Sequence, residues 1–214
     1  MLQRDLLRLC VGLSVLELTL VAAFRIAFRS QELDFLVWNL SLAWIPLIAA
    51  LALDDVRSTP LALNLPLLAF WLAFFPNAPY LVTDLIHAND FSLSPAGAIA
   101  VVALIAAVPA GLVLGFSSLL LVERSMRERF GPRVALGISV TSLAAACVGI
   151  YLGRVLRLNS WDLLSRPRLV AAILHQHLLD PRPLAGAATV ALGMVLAALY
   201  LRFRRTLAAA REER

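Results

Sequence analysis

Long apolar runs separated by short polar breaks dominate the chain. Six runs approach or exceed the roughly 20 residues that a helix needs to cross a bilayer core. They are Leu9–Phe28, Leu36–Leu53, Leu61–Val82, Ala98–Val122, Val134–Gly153 and Leu184–Leu201. None shows the two-residue alternation of a membrane barrel. Backbone groups in lipid must be satisfied within their own segment, so the runs predict helices. They fill most of the chain. The expectation is all-α: one integral membrane domain over residues 1–214, a polytopic transmembrane bundle of about six spans. Pro76 and Pro79 remove two donors from the third span, which should break there. Arg4 and Arg8 before the first run imitate a signal peptide. Glu17 interrupts that run, however, and Val21-Ala22-Ala23-Phe24-Arg25 is a poor cleavage site, so it reads as a retained helix.

Composition sharpens the class. Of 214 residues, 61% are apolar and 15% charged, against roughly 45–50% and a quarter in soluble domains. Disorder needs low hydrophobicity and is excluded. Two Cys exclude a disulfide scaffold; Cys10 and Cys147 read as small buried hydrophobes.

All 19 basic residues are Arg, against 14 acidic residues, for a net charge of +5. They flank the apolar runs rather than lining one stripe, which argues against nucleic acid as a partner and leaves membrane lipids. With six spans, twelve Arg fall on the side of the N-terminus and seven on the other. The positive-inside rule then predicts a multi-pass membrane protein with both termini cytoplasmic. Those twelve Arg need no function beyond topology, and the segment 202–214 reads as a basic, anionic-lipid-binding cytoplasmic tail. Five of the other seven crowd the last outer loop, residues 154–183. Pro167 there opens an expected short interfacial helix, with Val170, Leu174 and Leu178 on one line. His175 and His177 cannot face one way on a helix, so they do not share a metal.

Candidate chemistry gathers at two span ends. After the Pro76/Pro79 break, Asn77 can supply a donor and an acceptor to freed backbone groups. If an α-helix resumes, Tyr80, Asp84 and His87 share one stripe at 100° per residue. Arg154, Arg157 and Trp161 form a similar stripe at the end of the fifth span, with Asn159 and Asp162 beside them. The third and fifth spans run in the same direction, so their ends are expected at one face, the extracytoplasmic one, with Asn39 at the start of the second span. In an enzymatic reading, Asp84 and His87 form a catalytic acid/base pair. Arg154 and Arg157 clamp the phosphate of a lipid substrate, which Asn39, Asn77, Tyr80, Asn159 and Trp161 also contact. Alternatively, Asp84, His87 and Asp162 hold a divalent metal, the one cofactor suggested. In a structural reading, Asp84 and Arg154 pair and fix helix register.

Three further features bear on function. Glu17 is an intramembrane carboxyl whose charge costs roughly 3 kcal/mol on insertion scales. It should face the bundle, either as a proton carrier or as a neutral group hydrogen-bonded to a neighbouring helix. Arg25, near a span end, can snorkel and needs no partner. Gly111 and Gly115 allow close helix approach, as do Gly149 and Gly153, within one bundle or between copies in a homo-oligomer.

The string Pro76-Asn77-Ala78-Pro79-Tyr80-Leu81-Val82-Thr83-Asp84-Leu85-Ile86-His87 is the longest distinctive one. With Trp38-Asn39-Leu40, Ala43-Trp44-Ile45-Pro46, Leu152-Gly153-Arg154 and Asn159-Ser160-Trp161-Asp162, it resembles an uncharacterised family of bacterial multispan integral membrane proteins, defined as a domain of unknown function. The resemblance covers nearly the whole chain. It implies a bacterial multispan membrane protein and no particular activity. The functional expectation is a polar pocket for a phosphate-bearing lipid or a metal. The alternatives are a small-solute or proton-coupled transporter using Glu17 and the broken span, or a structural subunit.

Overall fold

A computed structural model describes residues 2–55, 60–91, 94–158, 161–179 and 183–212, and among these residues the fold is all-helical. The elements are α1 (Leu2–Phe28), α2 (Asp34–Asp55), α3 (Leu61–Phe74), α4 (Asn77–Tyr80), a 3-10 helix (Leu81–Asp90), α5 (Pro95–Phe130), α6 (Pro132–Arg154), α7 (Asp162–Ser165), α8 (Pro167–Leu179) and α9 (Pro183–Glu212). Five stretches are long and apolar enough to span a membrane: Gln3–Phe28, Asp34–Asp55, Asn64–Asp90, Pro95–Phe130 and Pro132–Val155. The protein is a multi-span membrane protein. The sixth apolar run, Leu184–Leu201, lies within the 30-residue α9. Large apolar side chains such as Ile26, Ile48, Ile105, Val140 and Met194 are exposed on the helices, as suits helices that cross a bilayer. The chain divides into two compact units, Met1–Val122 and Glu123–Arg214.

In the first unit, α1 buries Cys10, Ser14, Glu17, Val21 and Phe24. Steps of four and three put these on one face of the helix. α2 buries Leu36, Leu40, Ala43, Leu47 and Ala50 by the same spacing. It packs against α1, α3, α4 and the 3-10 helix. Side-chain hydrogen bonds cross between helices of this unit: Trp44 Nε1 donates to Ser14 Oγ at 3.0 Å and Trp71 Nε1 to Ser118 Oγ at 3.4 Å. Pro46, Pro66 and Pro109 stand inside α2, α3 and α5, as membrane helices tolerate where neighbours stabilise the freed groups. Arg25 does not merely snorkel. Its Nη1 bonds Asp34 Oδ2 at 2.8 Å, across the connection between α1 and α2.

The third span breaks where its prolines predict, with a turn at Phe75-Pro76. Beyond the short α4 the chain departs from the expected α-helix and forms ten residues of 3-10 helix instead. The break seats on α5. A Cβ added to Gly111 would lie 2.4 Å from the Ala78 carbonyl oxygen, and one added to Gly115 would lie 3.1 Å from Ala78 Cβ. These two glycines thus meet the chain's own broken span. Only residues without side chains allow backbones this close.

In the second unit, α6 starts at Gly131, whose φ of 85° suits glycine, with Pro132 next in the first turn. α6 packs along α9, where a Cβ on Gly193 would lie 2.9 Å from Cys147 Sγ. After α6, Arg157 adopts a left-handed φ of 56°, and the Leu158 amide reaches back to the Leu152 carbonyl at 3.0 Å. α8 begins at Pro167. The basic segment from Arg202 to Glu212 continues α9 as helix.

Candidate functional site

A 3-10 helix turns about 120° per residue, so positions three apart eclipse one another. Between Leu81 and Asp90 this aligns Asp84, His87 and Asp90 along one edge. Tyr80, four residues before Asp84, falls about a third of a turn away. The stripe expected from α-helical spacing therefore loses Tyr80 and gains Asp90.

Burial grades along this edge. Asp84 is 1% exposed. Its Oδ2 accepts a hydrogen bond from Asn39 Nδ2 on α2, at 2.8 Å. One turn on, the half-buried His87 bonds Asp90 Oδ2 through Nδ1 at 2.8 Å, and its ring centroid lies 5.1 Å from that of Phe35. Asp90 itself is exposed. Nearby, Asn77 Nδ2 donates to the Phe74 carbonyl at 2.9 Å, mending the break as its chemistry suggests. Thr83 Oγ1 donates to the Tyr80 carbonyl at 2.7 Å.

Glu17 completes the arrangement from α1. It is 0% exposed, and neither carboxyl oxygen has a hydrogen-bond partner among the described residues. Asp84 lies within electrostatic range of it. The expected hydrogen bond from Glu17 to a neighbouring helix is therefore not made among the described residues. The site consists of two buried carboxyls, one held by an amide and one bare. His87 and Asp90 lead from the held one toward solvent.

The remaining candidates belong to the second unit. Arg154 is half-buried in the last turn of α6, Arg157 is exposed, Trp161 is exposed, and Asp162 is half-buried at the start of α7. Asn159 lies outside the described residues. Asp84 and His87 thus stand in one unit and Asp162 in the other. Among the described residues, no group of three or more His, Cys, Asp or Glu is placed to hold a metal ion, so the metal reading gains no support.

Two residues escape sequence reasoning. Asp90 is hidden by the difference between α and 3-10 spacing. Glu123 is hidden among the arginines that end α5, yet it is 2% exposed and bonded by Arg127, Ser139, Tyr200 and Arg204. Its one local signal is Arg127 at i+4.

No curated protein and no solved structure matches this chain. Residues 38–200 match the family described as protein of unknown function (DUF1361), and the chain belongs to that family.

Proposed function

We propose that the first unit carries a proton-exchange site, and that the protein is a proton-coupled transporter of a bacterial inner membrane. Glu17 carries this reading. A carboxylate buried without a donor leaves charge uncompensated in a medium of low dielectric. Ionisable residues inside membrane spans are costly, and they mark proton and ion pathways. A proton is the smallest compensation such a site can take. Asp84 supplies a second carboxyl, and Asn39 fixes it. His87 stands one 3-10 turn from Asp84, about 6 Å along the axis, and joins the buried pair to Asp90. The broken third span supports the same class, because interrupted helices line transporter sites. With both termini cytoplasmic, as the Arg distribution favours, the path from Asp84 to Asp90 opens outward.

The test uses the whole protein in liposomes. Infrared difference spectra recorded across a pH step report protonated carboxyls by their C=O stretch. Glu17→Gln is expected to remove one component of that signal and Asp84→Asn to displace it. Spectra of Glu17→Gln that superimpose on those of the wild type overturn the reading. A gradient-driven pH change inside the liposomes, lost in the same variants, gives the transport half.

A second reading rests on Arg157. Left-handed backbone favours Gly or Asn, and a long side chain there costs roughly 1 kcal/mol. Arg in that position, three residues after Arg154, supports an anion clamp for a phosphate-bearing lipid. Arg157→Gly relieves the backbone. The clamp requires the variant to lose bound phospholipid while gaining stability; a variant that gains stability and keeps its lipid refutes it.

A further inference from the structure

Glu123 organises the second unit around a charge. Its Oε1 pairs with Arg127 Nη2 and with Arg204 Nη2, each at 2.9 Å. Its Oε2 accepts from Tyr200 Oη at 2.6 Å and from Ser139 Oγ at 2.9 Å. The Arg204 guanidinium also lies over the Tyr200 ring, 5.9 Å from its centroid. Two guanidiniums therefore share one carboxylate, which leaves one positive charge in surplus. Arg127 and Arg204 remain 49% and 27% exposed. A guanidinium has five N–H donors, so the contact with Glu123 leaves donors on both. The carboxylate acts as a jig: it holds two planar forks side by side and keeps them from collapsing elsewhere.

The jig stands at a particular depth. Glu123 comes directly after Leu119-Leu120-Leu121-Val122, the end of an apolar run on α5. Tyr200 and Leu201 end the apolar run of α9. Leu199 and Leu201 are exposed on the approach, offering a track for an acyl chain, and Arg202 and Arg205 are exposed beyond it. In a membrane-spanning chain, a change from apolar to basic residues marks the boundary between hydrocarbon and headgroups. We propose that Arg127 and Arg204, held by Glu123, bind the phosphate of an anionic lipid headgroup. Paired guanidinium forks match phosphate oxygens in charge and in plane. The incoming anion neutralises the surplus charge, and its acyl chains continue along Leu201 and Leu199. This inference concerns the second unit and stands apart from the proton site.

The test is native mass spectrometry of the full chain, released from micelles holding equal phosphatidylglycerol and phosphatidylcholine of the same acyl length. The wild type should retain phosphatidylglycerol selectively. Arg204→Gln should lower that preference about tenfold, the factor for losing a charge-assisted contact. Arg204→Lys keeps the charge and the pair with Glu123 but loses the fork, so it should keep the melting temperature while losing most of the preference. Arg205→Gln, beside the site, should change retention less than about twofold, as for a surface charge outside the contact. Three results overturn the proposal: equal retention of both lipids by the wild type, an unchanged preference in both Arg204 variants, or an equal loss in Arg205→Gln. Displacement of the bound lipid by millimolar inorganic phosphate also overturns it, because the site then takes free anions.

Discussion

Gly111→Ala tests the structural basis of the candidate site. The added Cβ would stand 2.4 Å from the Ala78 carbonyl oxygen and 2.8 Å from Leu81 Cβ. Non-bonded carbons settle at about 3.5–4.0 Å, so both contacts are far inside that distance. Neither atom can swing aside: one is backbone, and the other is fixed to it. α5 must therefore retreat from the break. Overpacking of this kind costs about 1–3 kcal/mol. Exchanging Gly for Ala inside a helix returns about 1 kcal/mol, leaving a net loss of up to about 2 kcal/mol. Gly12 supplies the control, because nothing lies within 4 Å of a Cβ there. Gly12→Ala keeps the helical gain without the clash. The helical gain cancels, so the two variants should differ by the overpacking cost of about 1–3 kcal/mol, with Gly115→Ala between them because its nearest contact is 3.1 Å. Unfolding in mixed micelles, titrated with a denaturing detergent and monitored by helical circular dichroism, ranks them. Equal midpoints for Gly111→Ala and Gly12→Ala would refute the close approach of α5 to the Pro76–Pro79 break.

The other predictions concern the polar groups. Glu17→Met should raise the melting temperature in detergent by removing an unsatisfied buried group worth about 1–3 kcal/mol, while abolishing gradient-driven proton uptake; a variant less stable than the wild type counts against a bare carboxyl. Tyr200→Phe should destabilise the second unit by about 1.5–3 kcal/mol, the range for a hydrogen bond to a charged group, and Glu123→Ala by about 1–3 kcal/mol, because the buried Tyr200 hydroxyl loses its acceptor while the two part-exposed arginines keep access to water; the same micelle titration measures both. Arg25→Ala breaks an exposed pair with Asp34 and should cost at most about 1 kcal/mol, less at high salt.

The sequence discloses features that depend on local chemistry. Apolar length alone marks the spans, and the missing N–H groups of Pro76 and Pro79 mark the break. Burial of Glu17 accords with its place in the Cys10, Ser14, Val21 and Phe24 stripe, since helical periodicity is a near-neighbour property. Two kinds of information stay hidden. The first is a change of helical period. A turn of 100° per residue joins Tyr80 to Asp84, whereas 120° per residue joins Asp84 to Asp90, and nothing in the composition of Leu81–Asp90 announces the tighter turn. The second is distance along the chain. Glu123 meets Ser139 and Tyr200 at separations of 16 and 77 residues, and Gly111 meets Ala78 from a different span. Counting arginines assigns Arg127 and Arg204 to topology, and topology does not reveal that a buried carboxylate holds both.

The two deeply buried glutamates argue by contrast. Glu123 and Glu17 are 2% and 0% exposed, so burial does not distinguish them. Satisfaction does. Around Glu123 the fold assembles two guanidiniums and two hydroxyls, one pair on each oxygen, which is how a protein stabilises a carboxylate that must remain charged. Around Glu17 it supplies no donor among the described residues and sets another carboxyl, Asp84, within electrostatic range. The Asn39 amide donates to Asp84 instead. The chain can thus stabilise a buried carboxylate where structure requires it, and leaves a second one bare in a helix that crosses lipid. Membrane insertion makes such a residue costly. A carboxyl serving only to pack would be replaced by Leu or Met with a gain in stability. What Glu17 retains that those residues lack is the ability to take up and release a proton, and the proposed proton-exchange site rests on that property.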